Sequence, residues 1–179
     1  MIVPKIDQRI RIALPNKGRL SERSLQLFEQ AGLKPEFRAD RALVASLGKD
    51  FQAIFVRAVD IPEYLADGAA GLGVTGLDLV EESGRDVEHV LDLGFGRCRM
   101  VVAVRDESSA TRATDVLAGT RVATSFPRVA SRYFESLGIP IEIAPVSGST
   151  EIAPHLGVAD VIVDITSTGS TLRVNGVTP

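Results

Sequence analysis

Short apolar segments alternate with amphipathic segments along the chain, and each kind has its own hydrophobic period. The amphipathic segments carry apolar residues three or four positions apart and end near glycines, which is typical of helices. The apolar segments predict strands at residues 10–14, 51–56, 72–75, 87–93, 100–104, 121–124, 141–144 and 158–163. Strands that alternate with helices indicate an α/β fold with mainly parallel sheets, which bind ligands at the carboxyl ends of their strands.

Two of the predicted helices have clear local signals. Asp60 and Glu63 have the spacing of a capping box, with Pro62 in the first turn and Gly68 as the stop. The helix predicted over residues 127–137 has an apolar face that we expect in the core. That face consists of Val129, Tyr133, Phe134 and Leu137.

A weak internal repeat predicts two lobes. Residues 11–33 and 121–139 each begin with a strand, continue through a helix and end in Gly-Leu or Gly-Ile. We expect the chain to cross between lobes near residues 94–99, where glycines interrupt two predicted strands, and to return near residues 164–171. The expected division is a first lobe of residues 1–97 and 166–179 and a second lobe of residues 98–165.

Composition and charge exclude several classes of protein. The 179 residues carry a net charge of −3, which gives no global basic field for binding nucleic acid. They contain no apolar run of the roughly 18 residues that a transmembrane helix needs, and residues 1–11 lack the apolar core of a secretory signal. One cysteine and two histidines exclude a disulfide framework and argue against a Cys- or His-based metal site. We therefore expect a cytoplasmic protein.

The basic residues are unevenly divided, with 16 arginines and four lysines. An excess of arginine reflects genome composition or a phosphate ligand, because the guanidinium group binds phosphate through two donors. The remaining reactive side chains suggest structural roles. We expect His155 to be structural, His89 to be exposed and Cys98 to be a small packed residue.

The strongest local signal is at residues 161–171, where an apolar strand ends at Asp164 and opens into a loop of hydroxyl residues around Gly169. A turn that caps a helix explains some of these residues, but they are more numerous than a cap requires. A carboxylate that accepts hydrogen bonds from ribose hydroxyls, beside donors for a 5′-phosphate, would suit phosphoribosyl diphosphate. The loop donors are Ser167, Thr168, Ser170 and Thr171.

Three further turns follow predicted strands. Lys17 and Arg19 flank Gly18 after the first strand, and they are either solvated loop cations or ligands of phosphate oxygens. Arg57 closes the second strand, and residues 73–76 form a Gly-x-x-Gly turn followed by Asp78. Arg97 and Arg99 lie in the expected crossover. Several turns that suit phosphate are more specific together than any one alone.

Five motifs in this order resemble those of the ATP phosphoribosyltransferase family, the first enzymes of histidine biosynthesis. They lie at residues 11–20, 72–76, 123–127, 148–151 and 164–172. The resemblance implies two lobes similar to type II periplasmic binding proteins, with the active site in the cleft between lobes. It implies that phosphoribosyl diphosphate binds Asp164, Ser167, Thr168, Gly169, Ser170 and Thr171. It further implies that the nucleotide and phosphates face Lys17, Gly18, Arg19, Arg57, Thr75 and Gly76.

The reaction implied is attack of adenine N1 of ATP on the anomeric carbon of phosphoribosyl diphosphate, with release of pyrophosphate. Because the leaving group is good, we expect catalysis by positioning, through Arg19 and Arg57, and no acid or base residue. Mg²⁺ is expected to arrive with the substrates' phosphates. Two alternatives remain: a solute-binding module of the same fold, and a phosphoribosyltransferase acting on another base.

The sequence departs from the family at two places. Gly71 replaces the usual acidic residue before Leu-Gly, and the sequence given stops at Pro179, before further first-lobe structure and any histidine-sensing domain. We expect either a shortened short-form catalytic subunit, which pairs with a regulatory subunit similar to histidyl-tRNA synthetase, or a piece of a long form. A homodimer or larger oligomer is expected, and the 179 residues alone should be a poor catalyst that histidine does not inhibit.

Overall fold

The computed structural model describes residues 9–39 and 42–179 and divides the chain into two compact units, Met1–Gly96 and Arg97–Pro179. Residues 1–8, which include most of the segment that we judged unlike a secretory signal, lie outside the described residues. The division falls inside the segment where the sequence predicts a crossover. Each unit contains one five-stranded sheet with helices packed on it.

The first unit is built on a sheet with the strand order β2-β3-β4-β1-β5. Strand β1 is parallel to β4 and β5, whereas β3 is antiparallel to both β2 and β4. Its elements are β1 (Ile10–Pro15), α1 (Arg19–Gln30), β2 (Pro35–Phe37), β3 (Val44–Leu47), β4 (Phe51–Val56), a 3₁₀ turn (Ala58–Asp60), α2 (Ile61–Ala66), β5 (Leu72–Gly73) and α3 (Leu77–Ser83).

The core of the first unit lies on both faces of β1, which explains why this strand is apolar without alternation. On one face Leu14 packs with Leu47 and with Phe28 of α1. On the other face Ala13 packs with Ile61 of α2. From Ile12 to Pro15 the strand is therefore buried between helices, and exposed polar residues resume at Asn16.

The second unit has the strand order β10-β6-β9-β7-β8. Strand β7 is parallel to β8 and β9, while β6 is antiparallel to β9 and β10. Its elements are β6 (Arg99–Arg105), a 3₁₀ turn (Ala113–Asp115), β7 (Thr120–Thr124), α4 (Pro127–Ser136), β8 (Ile141–Pro145), a 3₁₀ turn (Thr150–Ile152), β9 (Val161–Thr166), α5 (Ser170–Val174) and β10 (Val177–Thr178).

Helices α4 and α5 contribute to two separate clusters of the second unit. Phe134 of α4 is fully buried with Val122 of β7, and Leu172 of α5 lies in a second cluster with Ala123 and Val177. The α4 core face differs from the expected one, because Tyr133 and Leu137 are partly exposed while Ala130 is buried.

The expectation of mainly parallel sheets is wrong, because each sheet joins two parallel and two antiparallel strand pairs. The hairpin of β2 and β3 lies in a segment for which no strand is predicted. Conversely, residues 87–93 form no strand, and the side chains of Val90 and Leu91 are 71% and 70% exposed. An apolar run becomes a strand only where a partner strand offers backbone hydrogen bonds.

Residues 166–179 belong to the second unit here, not to the first as expected. The reason is backbone pairing, since β10 runs antiparallel to β6 with Val177 opposite Arg105. Burial supports the same placement, because Val177 is fully buried in the cluster that contains Ala103. The final strand therefore completes the second sheet.

The predicted capping box at the start of α2 does not form. Asp60 does precede the helix, but its backbone is helical and its side chain makes no cap hydrogen bond, because a 3₁₀ turn leads directly into α2. The Glu63 carboxylate instead accepts a hydrogen bond from Arg85 Nε at 2.6 Å. The predicted stop at Gly68 has the left-handed backbone that glycine favours, with φ of 69°, and Gly84 after α3 has the same conformation, with φ of 63°.

Candidate functional site

Three parallel strands of the first unit end at one edge of its sheet. We call this edge the first carboxyl edge; it comprises residues 15–19 after β1, Arg57 after β4 and residues 74–78 after β5. All six residues predicted to face a nucleotide lie on it: Lys17, Gly18, Arg19, Arg57, Thr75 and Gly76. Parallel neighbours explain the grouping, since their carboxyl ends share one side of the sheet.

The loop after β1 presents two cations, Lys17 and Arg19, beside Arg57 just after β4. The Asn16 N–H donates to the Val56 carbonyl at 2.8 Å, which ties the end of β1 to the end of β4 just before Arg57. Gly18 has φ of 81° and precedes α1, whose first residue is Arg19. Lys17, Arg19 and Arg57 are exposed, and none of their side chains forms a hydrogen bond or ion pair with the described part of the chain. Their charges are therefore available to an anionic ligand.

The turn after β5 is held by hydrogen bonds and by close packing. The Thr75 hydroxyl donates to the Ala58 carbonyl at 2.8 Å, so this predicted ligand also fastens β5 to the segment after Arg57. A Cβ atom on Gly76 would overlap Asp78 Oδ1, so a larger residue at this position would displace the Asp78 side chain. Asp78 is a residue that the predicted site omits, although the sequence placed it directly after the turn.

Burial raises the pKa of the Asp78 carboxyl above its ordinary value of 3.8. The backbone N–H groups of Asp78 and Leu79 partly oppose this shift, because they hydrogen-bond to the charged form. Ionised Asp78 therefore costs stability at neutral pH.

We expect the Asp78→Asn variant to melt at a higher temperature than the wild-type protein at neutral pH. The native state binds the Asp78 proton more tightly than the unfolded chain, so wild-type stability falls as the pH rises from 3.8 through the raised pKa. Asparagine is neutral throughout and still accepts hydrogen bonds. Thermal melts from about pH 3 to about pH 8 should show the Tm gain at the upper end and its loss below the ordinary pKa. A gain that does not change with pH contradicts this account.

The second unit has a corresponding edge, formed by the carboxyl ends of β7, β8 and β9. We call it the second carboxyl edge; it comprises residues 124–127, 145–151 and 164–171. Three of the five motifs singled out in the sequence meet there. Arg99, which begins β6, lies opposite Thr166 of β9 and is exposed at the same edge.

The loop after β9 exposes several hydroxyl groups around a glycine. Gly169 has φ of 72°, and its N–H donates to Thr166 Oγ1 at 2.7 Å, which closes a tight turn before α5. Thr168 Oγ1 and Ser170 Oγ share a hydrogen bond of 2.9 Å. The exposed hydroxyl residues of the loop are Ser167, Thr168, Ser170 and Thr171. The loop thus offers several donors to an anion in one short segment.

Asp164 lies within β9, because the strand continues to Thr166 and does not end at Asp164 as expected. Its carboxylate is held from two sides. The Ile165 N–H donates to Oδ1 at 2.7 Å, and the hydroxyl of Thr150 donates to Oδ2. Thr150 is fully buried. Thr150 lies in one of the family motifs, but the sequence predicts no role for it, because residues 14 positions apart on different elements carry no local signal of contact.

Other reactive side chains serve structure or solvent. His155 Nε2 donates to the Asn175 carbonyl at 2.6 Å, in keeping with the structural role expected of it. Cys98 is exposed, which corrects the expectation of a packed residue, because the segment before β6 has no regular structure to cover it. His89 is exposed as expected.

Across residues 9–39 and 42–179, no three His, Cys, Asp or Glu side chains are grouped to hold a metal ion. Over the same residues, no helix has the length and apolar character needed to cross a bilayer. The two edges present exposed cations on the first unit and exposed hydroxyls beside the Asp164 carboxylate on the second.

The fold is shared with solute-binding proteins. The arginine-, lysine-, histidine-binding protein ArtJ from Geobacillus stearothermophilus superimposes with a TM-score of 0.59 at 12% identity, over 95% of this chain and 74% of that chain. At this identity the likeness concerns the fold alone. The fold class is thus α/β, with two units similar to the two-lobed type II periplasmic binding proteins, as expected.

A narrower likeness involves one enzyme family. The structure of the ATP phosphoribosyl transferase (HisG:HisZ) complex from Thermotoga maritima matches with a TM-score of 0.81 at 34% identity, over 94% of this chain and 80% of that chain. ATP phosphoribosyltransferase of Gemmatimonas aurantiaca is 61% identical over 170 residues, which are 93% of this chain and 58% of that protein. The profile of the HisG family, ATP phosphoribosyltransferase, matches residues 57–179. The chain belongs to the ATP phosphoribosyltransferase family, and it spans somewhat under three fifths of that relative's length.

Proposed function

We propose that this chain is the catalytic part of an enzyme that transfers the phosphoribosyl group of phosphoribosyl diphosphate to N1 of the adenine of ATP, the first step of histidine biosynthesis. One observation carries the proposal. The motifs shared with the family lie at the carboxyl ends of parallel strands, where cations in one unit and hydroxyls with Asp164 in the other are exposed to a ligand.

Asp164 and the loop of residues 167–171 bind the phosphoribosyl group in this proposal. The Asp164 carboxylate accepts hydrogen bonds from the ribose hydroxyls, and the loop hydroxyls donate to the 5′-phosphate. Gly169 lets the backbone approach the phosphate without a Cβ clash. Hydrogen bonds to charged oxygens are shorter and stronger than those between neutral groups, so several donors in one loop give both affinity and orientation.

Lys17, Arg19 and Arg57 bind the phosphate oxygens of the nucleotide or the departing pyrophosphate. Two arginines on one edge allow two-pronged contacts that lysine cannot make. The adenine N1 has its own lone pair and pyrophosphate leaves readily, so no side chain needs to remove a proton. The protein's part is to position the substrates and to stabilise negative charge as it develops on the leaving group.

Mg²⁺ enters this scheme as part of the substrates, bound to their phosphate oxygens, and brings charge neutralisation. We further infer a cytoplasmic enzyme, because its substrates are nucleotides and sugar phosphates of the cell interior. A partner is also proposed. The Thermotoga maritima structure is a complex of HisG with HisZ, and a second subunit of that kind, or a second copy of this chain, would suit this protein.

The test is a pyrophosphate-release assay on the complete protein with ATP and phosphoribosyl diphosphate, each alone and together with Mg²⁺. Pyrophosphate should appear only when both are present, in step with loss of ATP and formation of its N1-substituted product. Binding of either compound without turnover would make the protein a solute-binding module. Turnover with another base in place of ATP would make it a different phosphoribosyltransferase.

A further inference from the structure

At the second carboxyl edge, a hydrogen bond joins the buried Thr150 to the half-buried Asp164. Thr150 is fully buried in the 3₁₀ turn after β8, and its hydroxyl donates to Oδ2 of Asp164 on β9. A buried hydroxyl needs a partner, and a partly exposed carboxylate can find water instead. Because the Thr150 hydroxyl is buried and fixed, its hydrogen bond restricts the orientation of the Asp164 carboxylate more than a water molecule would.

Two hydrogen bonds hold the Asp164 carboxylate, one on each oxygen. Oδ1 accepts from the Ile165 N–H at 2.7 Å and Oδ2 accepts from Thr150. With both oxygens held, rotation about the side-chain bonds of Asp164 is restricted, and the lone pairs left over point in fixed directions. A carboxylate that must meet two adjacent hydroxyl groups gains from such fixed geometry, because less entropy is lost on binding.

The backbone delivers Thr150 to this position through an uncommon conformation. Ser149 has φ of 50°, and it is the non-glycine residue with positive φ among those described. Such a conformation costs energy for a residue with a Cβ, and the surrounding structure must offset it. Here the turn directs the next side chain into the core beneath β9.

We propose that Thr150 is a positioning residue, whose hydroxyl holds the Asp164 carboxylate in the rotamer that accepts hydrogen bonds from the ribose of phosphoribosyl diphosphate. The inference rests on the proposed function, in which Asp164 binds that ribose. Thr150 itself touches no substrate. Its effect is specific to one substrate, since Asp164 is assigned to the sugar and not to the nucleotide.

Two substitutions separate the hydroxyl from the packing. Thr150→Val keeps the volume and the branched shape but removes the donor, whereas Thr150→Ser keeps the donor and loses a methyl group. In the complete enzyme, Thr150→Val should raise the KM for phosphoribosyl diphosphate at least about tenfold and change the KM for ATP less than about twofold. Thr150→Ser should retain the wild-type KM although its Tm is lower. Thr111→Val, at an exposed threonine outside the second carboxyl edge, serves as a control that should leave both KM values unchanged.

A structural readout needs no turnover. Crystal structures of the wild type and of Thr150→Ser should show the Asp164 carboxylate in the same single rotamer. The structure of Thr150→Val should show it in a different rotamer or in a mixture of rotamers. An unchanged Asp164 in Thr150→Val overturns the proposal, and so does a KM that follows Tm across the variants. Should the valine variant fail to fold, Thr150→Cys takes its place, because a thiol of similar size is only a weak donor.

The Asp164→Asn variant separates a failure of the ribose-binding role of Asp164 from a failure of the positioning role of Thr150. If this variant keeps the wild-type KM for phosphoribosyl diphosphate, the assignment of Asp164 to the ribose fails, and the rotamer comparison alone decides whether Thr150 positions the carboxylate. If Asp164→Asn raises that KM and Thr150→Val does not, the proposed function stands and the positioning role of Thr150 is wrong.

Discussion

The Thr168→Val and Thr171→Val variants are expected to raise the KM for phosphoribosyl diphosphate at least about tenfold, while the KM for ATP changes much less. Each substitution keeps the shape of the side chain and removes one donor to the 5′-phosphate, and a hydrogen bond to a charged group contributes about 1.5–3 kcal/mol. Thr168 is exposed in the loop after β9 and Thr171 is exposed in the first turn of α5, so neither substitution should disturb the core. The loss therefore falls on binding.

Steady-state kinetics with each substrate varied in turn, on the complete enzyme, measure this effect. Thr111→Val is a matched control, because Thr111 is an exposed threonine of the same unit whose hydroxyl donates to Asp115 at 3.2 Å and which lies outside the second carboxyl edge. Its KM values should remain those of the wild type. Equal increases in the KM for ATP and for phosphoribosyl diphosphate in the Thr168→Val and Thr171→Val variants would contradict the assignment of the loop to the 5′-phosphate.

Arg19→Lys and Arg57→Lys are each expected to lose at least about tenfold in kcat/KM and to fold normally. Lysine keeps the charge but not the planar pair of donors that grips phosphate oxygens from two directions. The side chains of the two arginines are exposed and unpaired with the described part of the chain. Replacing them with lysine therefore removes no packing contact or salt bridge there and should not destabilise the first unit. A large loss of kcat/KM would therefore result from lost contacts between the arginine and the ligand.

A thermal melt beside the kinetics decides between ligand binding and structure. Arg121→Lys is the matched control, since Arg121 is exposed near the amino end of β7, away from the second carboxyl edge. Surface changes of this kind alter stability by about 0.5 kcal/mol or less. Wild-type kinetics in both variants would place Arg19 and Arg57 outside the site, and a lowered Tm with a matching loss of activity would make them structural.

The backbone elements that surround the site followed from local pattern. The apolar run of β1, the helix that begins beside Arg19 and the glycine turn before α5 each have a signal within a few residues of sequence. The candidate residues could be predicted for the same reason. A polar residue that directly follows an apolar strand must lie at the strand's carboxyl end, whichever strands lie beside it.

Contacts between distant segments could not be predicted in this way. No pattern near β10 shows that it pairs with β6, and no pattern near residues 87–93 shows that they lack a partner strand. Strand pairing depends on which backbone groups are brought within reach, which is a property of the whole unit. The two antiparallel pairs in each sheet escaped prediction for this reason.

The sequence by itself determined the α/β class, the family and the loops that carry the candidate residues, because period, caps and motifs are properties of neighbouring residues. Tertiary structure decided that residues 166–179 complete the second sheet, that Asp78 is buried enough for the pKa of its carboxyl to rise, and that Thr150 donates to Asp164. Burial and hydrogen bonding of a side chain depend on atoms far away in the chain, and those atoms are brought together only by folding.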